Sequence, residues 1–174
     1  MIRIVVTGSE CTGKTTLAKA LANHYNTVFV AEYARQFVQD LGRAPEVSDV
    51  EAIARGQIAS EDALANAASK ILIQDTDLLS TVIYSRHYYG TCPDWVEDAV
   101  VERAGDLYLL CDIDVPWVPD GDQRDRGGRR EEMHQLFRQA LLDRDLEFVD
   151  IRGSLDHRMN LAARAIARKL EARK

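Results

Sequence analysis

The chain has 174 residues, 46% of them hydrophobic and 29% charged, with a formal net charge of −6. This length suits one domain around one core, and the balance excludes a fibre or a disordered chain. The negative charge argues against broad nucleic-acid or anionic-membrane binding, which needs a basic face.

Met1–Val6 is too short an apolar stretch for a signal peptide and runs straight into a glycine motif. No apolar run approaches the roughly 18–20 residues of a membrane span, so a cytoplasmic chain is expected. In chain order, Ile2–Thr7 reads as a buried strand. Lys14–Tyr25 follows as a helix with Leu17, Leu21 and Tyr25 on one stripe. Thr27–Ala31 reads as a second strand, and Tyr33–Leu41 as a helix ended by Gly42. Ser48 and Glu51 have capping-box spacing, which predicts a long helix running to about Ala68. Lys70–Gln74 is a third strand ending at Asp75, and Asp77–Tyr89 a helix broken by Gly90 and Pro93. Trp95–Arg103 is a short helix and Leu107–Cys111 a fourth strand. Asp112–Gly128 is a polar loop, Arg130–Arg144 a helix, Glu147–Ile151 a fifth strand, and Asp156–Arg173 a closing helix.

Strands alternating with helices imply one α/β domain over residues 1–174, a five-stranded parallel sheet with helices on both faces. Ligands of such sheets sit beyond the carboxyl ends of the strands, where Gly8, Glu32, Asp75 and Asp112 all fall.

Gly8-Ser9-Glu10-Cys11-Thr12-Gly13-Lys14-Thr15 matches the phosphate-loop pattern G-x-x-x-x-G-K-[ST]. It follows a strand and opens an amphipathic helix, the context that the chemistry requires. Glycines turn backbone N–H groups inward as an anion nest, and the helix start adds its positive dipole end. Lys14 can reach the β- and γ-phosphates of ATP, and the Thr15 hydroxyl can ligate Mg²⁺. Gly8 to Thr16 are therefore the expected nucleotide-binding residues, with Lys14 also catalytic. Cys11, Cys92 and Cys111 form neither a CxxC pair nor an even framework and read as reduced thiols. The four scattered histidines suggest no zinc site.

Asp75 ends an apolar strand, where a carboxylate can hold Mg²⁺ through water, and either Asp75 or Glu32 is the catalytic carboxylate that assists the acceptor hydroxyl. Asp77 reads equally as a helix N-cap or a substrate contact. Glu32 can accept a proton from a substrate hydroxyl or can be a surface acid in a first helical turn. Tyr33 and Arg35 accompany it, Arg35 one helical turn on; the alternative for the Glu32–Arg35 pair is a weak surface ion pair.

The segment Asp120–Arg130 is glycine-rich and dense in arginine, which suits a lid over residues 112–129 that brings cations to a migrating phosphoryl group. Arg124 is the expected catalytic cation and Arg126 a nucleotide contact, against the alternative of a solvated charge run. Trp117 reads as an aromatic platform for substrate or as core packing.

Four segments together carry a family resemblance: GSECTGKTTLA at Gly8–Ala18, AEYAR at Ala31–Arg35, QDTDLLST at Gln74–Thr81 and CDIDVPWVPDGDQR at Cys111–Arg124. They resemble the ribosylnicotinamide kinase domain of NadR-type proteins, in the AAA-like P-loop kinase group. The resemblance implies a kinase-like P-loop fold and transfer of the ATP γ-phosphate to the 5′-hydroxyl of nicotinamide riboside, giving nicotinamide mononucleotide. It implies that Lys14 and Thr15 bind phosphate and Mg²⁺, that Glu32, Arg35, Asp75 and Asp77 line the acceptor site, and that Arg124 belongs to the lid. NadR proteins usually carry an adenylyltransferase domain before the kinase. This chain begins at the first kinase strand, so that role is not expected to carry over. The expected ligands are ATP, Mg²⁺ and a small nucleoside-type acceptor, with no nucleic acid and no membrane. A kinase for another nucleoside, nucleotide or vitamin, or an ATPase switch, remains the alternative.

Overall fold

β-Branched and apolar residues at Ile2–Thr7 form β1, the middle strand of a five-stranded sheet. The computed structural model describes residues 1–68, 70–116 and 129–173. The other strands are β2 (Phe29–Val30), β3 (Ile71–Asp75), β4 (Leu107–Cys111) and β5 (Phe148–Ile151). Every pairing is parallel, as the strand–helix alternation predicts, and the order is β2-β3-β1-β4-β5. The helices are α1 (Lys14–His24), α2 (Tyr33–Leu41), α3 (Val50–Ala65), α4 (Leu78–Tyr89), α5 (Asp94–Glu102), α6 (Arg130–Asp143) and α7 (Leu155–Glu171).

Both faces of the sheet are covered, so the inner strands β1, β3 and β4 are buried almost throughout. Side-chain alternation still sorts them. Ile4 and Val6 pack with Leu17, Leu21, Leu109 and Ile166 under α1 and α7. Val5 packs with Leu79, Val82, Val96, Tyr108 and Phe137 under α4, α5 and α6. On β3 the same period sends Ile71 and Ile73 to the α1 face, and Asp75, the next residue of that parity, ends the strand there. Val6 pairs with Asp75 and Thr7 with Leu110, so the chain leaves β1, β3 and β4 at neighbouring points of one edge.

Several expected boundaries shift for local reasons. β2 shrinks to two residues because Thr27 serves the end of α1: its N–H donates to Ala22 O at 2.9 Å and its hydroxyl to Ile71 O at 2.6 Å. Ser48 does not cap the long helix. Val47–Asp49 is a 3₁₀ turn in which the Asp49 carboxylate accepts the Glu46 N–H at 2.8 Å, and α3 starts after it. α7 starts at Leu155, where Ser154 Oγ accepts the His157 N–H at 3.3 Å. No helix among the described residues is long and apolar enough to cross a membrane.

Candidate active site

The loop after β1 curls back on itself. Gly8 has φ +131°, and a Cβ there would meet Cys111 O at 2.8 Å, so only glycine fits beside β4. Gly13 (φ +82°) is the N-cap of α1 and points the first helical N–H groups into the loop. Cys11 also lies in the left-handed region, at φ +54°. Ser9 O accepts from the Thr12 hydroxyl and from Lys14 Nζ, both at 2.9 Å, so the ammonium lies folded over the loop. Thr16 is exposed on the first turn of α1.

Because Asp75 shares a face with α1, it meets that helix's first turn. The Thr15 hydroxyl donates to Asp75 Oδ2 at 2.5 Å. Asp75 is 1% exposed, and its Oδ1 is buried without a hydrogen-bond partner among the described residues. A buried carboxylate oxygen with no donor is costly unless something positive approaches it. A hydroxyl and a carboxylate beside a phosphate loop match the hard-oxygen donors of Mg²⁺, which takes one or two carboxylates plus phosphates. Thr15 and Asp75 therefore fit that ion.

A cavity of about 470 Å³ opens from the loop toward β3 and β2. Glu10 and Lys14 line its loop end, Glu32 and Arg35 come from the start of α2, and Tyr84, Tyr88 and Tyr89 come from α4. Val38, Pro45, Val50 and Ile53 close the apolar side. Glu32 is the N-cap residue of α2, and Arg35 Nε lies 3.7 Å from its carboxylate. A concave, aromatic-walled space with a few charged groups at one end suits a small polar ligand carrying a flat ring.

Asp77 is the N-cap its sequence position suggests, and it also lines the cavity. Its Oδ1 accepts the Leu79 N–H at 3.1 Å and so caps α4, while its buried edge lines the cavity. Tyr108 donates its hydroxyl to Asp77 Oδ2 at 2.7 Å and accepts the Gly105 N–H at 3.1 Å. Burial pushes the Asp77 carboxyl up to about 7, against the lowering effect of the Tyr108 hydrogen bond. Burial likewise raises the Tyr108 phenol, and nearby Asp77 raises it further.

Tyr33 sits apart from this lining. It is not among the cavity's lining residues; its ring lies against Gly56 of α3, where an added Cβ would come within 2.0 Å of it. Its N–H donates to Gln57 Oε1 at 3.1 Å, which satisfies one of the unpaired donors at the start of α2. Gln57 in turn donates to Glu61 at 3.2 Å, and Glu61 meets Arg103 at 3.3 Å. Tyr33 therefore positions α2 and does not face the ligand space. Trp117, Arg124 and Arg126 lie outside the described residues, as does the arginine loop from 117 to 128.

Two arginines escape a reading of the sequence. Arg130, the first residue of α6, donates to Val115 O at 3.1 Å and to Cys11 O in the phosphate loop at 3.3 Å. Its place at the end of the arginine loop was the available signal. Arg158, in the first turn of α7, is 3% exposed and donates to Thr12 O at 2.6 Å. Nothing in the sequence distinguishes it from the solvent-facing cations of an amphipathic helix.

The family model for the AAA domain AAA_28 matches residues 3–158. The chain belongs to that family. The trifunctional NAD biosynthesis/regulator protein NadR of Escherichia coli strain K12 is 33% identical over 154 residues, 85% of this chain and 37% of that protein. NadR of Salmonella typhimurium strain LT2 is 32% identical over 155 residues, with 86% and 38% covered. The chain thus spans well under half the length of these relatives. A crystal structure of NadR protein in complex with NR superposes with a TM-score of 0.75 at 25% identity, covering 90% of this chain and 45% of that one. A thymidylate kinase structure from Ehrlichia chaffeensis shares the fold across 95% of this chain and 98% of its own, with a TM-score of 0.66 at 16% identity.

Proposed function

We propose that this domain is a nucleoside kinase that moves the γ-phosphate of ATP to the 5′-hydroxyl of a ribonucleoside, with nicotinamide riboside as the acceptor. The observation that carries the reading is the sharing of Lys14 between two features: its ammonium lies over the phosphate loop and also lines the 470 Å³ cavity. A phosphoryl donor in the loop and an acceptor in the cavity would therefore meet at one cation. The likeness to NadR over 85% of the chain supports the choice of acceptor, since a NadR structure contains NR.

In this mechanism the backbone N–H groups of Gly8–Thr15 and the start of α1 hold the phosphates. Lys14 leaves Ser9 O and follows the negative charge that develops on the transferring group. Mg²⁺ would be held by Thr15 and Asp75 and, when bound, supplies positive charge to the phosphate oxygens. Glu32, at the cavity end of α2, receives the proton of the acceptor hydroxyl, and Arg35 orients that carboxylate. Asp77 holds the floor of the cavity by capping α4 and contacts the acceptor at its edge. The tyrosines of α4 stack on the base. Arg130 turns from Cys11 O to the migrating phosphate and neutralises the charge that develops there.

The test is ADP release over a panel of acceptors with Mg²⁺ and ATP. Nicotinamide riboside is expected to give the highest kcat/KM, with other nucleosides at least about tenfold lower. A different preferred acceptor would replace the substrate assignment. ADP release at one rate with every acceptor and with none would overturn the kinase reading in favour of an ATPase switch.

A further inference from the structure

Arg158 is buried, yet no apolar packing explains an arginine there. Its donors are spread over three separate loops. Nε donates to Gly153 O at 2.9 Å, in the turn between β5 and α7. The Nη1 group donates to Thr12 O at 2.6 Å, inside the phosphate loop. The Nη2 group donates to Asp112 O at 3.3 Å, where the chain leaves β4, and pairs with the Asp114 carboxylate. Asp114 closes the arrangement, because its other oxygen accepts the Gly153 N–H. The guanidinium also lies under the first turn of α1: a Cβ added to Gly13 would come within 3.7 Å of it.

Burying a cation is unfavourable unless its donors are matched, and here each of its three nitrogens has an oxygen partner. Only the planar fork of an arginine reaches this many acceptors in fixed directions; a lysine offers a single point. Holding Thr12 O from behind orients the peptide units whose N–H groups face the phosphates. None of Thr12, Asp112, Asp114, Gly153 or Arg158 lines the acceptor cavity.

We propose that Arg158, locked by Asp114, is a positioning residue for the nucleotide: it ties the phosphate loop to the β4 exit and to the β5–α7 turn, and so sets affinity for the nucleoside triphosphate without setting affinity for the acceptor. The inference rests on residues 8–15 being a phosphate loop. It assigns no contact between Arg158 and the ligand; the residue acts through Thr12 and the turn at Gly153. Asp114 is held below the ordinary carboxylate range because the Gly153 N–H and Arg158 outweigh its desolvation, which keeps the lock charged at neutral pH.

The test uses a fluorescent ATP analogue with Mg²⁺, titrated into the full chain, alongside melting temperature and the KM of the acceptor. Arg158→Gln is expected to weaken analogue binding at least about tenfold, Arg158→Lys to recover part of that loss, and Asp114→Asn to weaken it about threefold. The acceptor KM stays within about twofold in all three. If Arg158→Gln does not fold, Asp114→Asn carries the test, because Asp114 lies at the surface. Folded variants that bind the analogue like the wild type overturn the proposal. So does a parallel loss of melting temperature, nucleotide affinity and acceptor affinity, which marks a merely structural role. A wild-type chain that binds no analogue overturns both the proposal and the phosphate-loop reading beneath it.

Discussion

Gly56 offers a sharp test of how the acceptor side is held, because two effects of one methyl group oppose each other there. Gly56 lies mid-helix in α3, where Gly→Ala ordinarily stabilises by about 1 kcal/mol. The Tyr33 ring occupies the space a Cβ would need: Cε1 would lie 2.0 Å away and Cζ 2.1 Å. Ordinary contact begins near 3.4 Å, so ring and helix must part by more than an ångström. Swinging the ring aside gives up its packing against Phe37, while the Tyr33 N–H stays anchored on Gln57 at 3.1 Å. Overpacking of this kind costs about 2 kcal/mol, which leaves Gly56→Ala about 1 kcal/mol less stable, or ~3 °C in Tm for a chain of this size. The functional effect exceeds the stability effect because Glu32 immediately precedes Tyr33. A shift of about 1 Å at a reacting group can reduce rate by up to ~10²-fold. We expect kcat/KM for the acceptor to fall at least about tenfold while the KM for ATP changes less than twofold. Steady-state kinetics with each substrate varied, plus a melting curve, measure both. Removing the ring as well, in Tyr33→Ala with Gly56→Ala, should make the two changes strongly non-additive. A variant with raised Tm and unchanged acceptor kinetics would show that helix propensity decides and that the Tyr33–Gly56 contact positions nothing.

Other consequences follow from the buried carboxylates and the loop. Asp75→Asn keeps an acceptor for the Thr15 hydroxyl while removing a buried charge, so Tm should hold or rise as Mg²⁺-dependent turnover falls by roughly 10²–10³-fold; a large loss of Tm would instead make Asp75 structural. Glu61 has its carboxyl raised above the ordinary 4.5, first by burial and against the lowering effects of Gln57 and Arg103. The folded state therefore holds that proton more tightly than the unfolded one, and its stabilisation is present at low pH and lost as pH rises through the folded value. Urea midpoints should show the wild type losing ground to Glu61→Gln as pH increases from about 4.5, and a constant difference would contradict the shift. Lys14→Ala removes a half-exposed amine whose hydrogen bond is to Ser9 O, so turnover should fall beyond about 10³-fold with Tm nearly unchanged; wild-type-like turnover would contradict its role.

How far the sequence reads true depends on whether local or distant atoms decide. β1 is legible to the residue because five of its six positions are β-branched and the run ends at a glycine that only a tight turn explains. The phosphate loop is legible because its chemistry lies within eight consecutive residues. The Thr15–Asp75 contact was visible at one remove: the spacing implied an acid at a strand end, and the strand's period decided which face it took. Edge strand β2 was overread because its β-branched residues look alike, while Thr27 is taken by the end of α1. The placement of the Tyr33 ring was not legible, because only Gly56, 23 positions away, reveals where it goes. Arg158 was invisible because two of its three partner loops lie far off in sequence, at Thr12 and Asp112, and meet it only in the folded chain. Of the two readings of Asp77, the helix cap is visible in the fold, one oxygen taking the Leu79 N–H and the other the Tyr108 hydroxyl.

The most direct measurement follows the γ-phosphate itself. With ATP, Mg²⁺ and nicotinamide riboside, phosphorus NMR should show the γ signal converted to a 5′-phosphomonoester, one for each ADP formed. ADP accompanied only by inorganic phosphate, with the riboside recovered unchanged, would contradict the account.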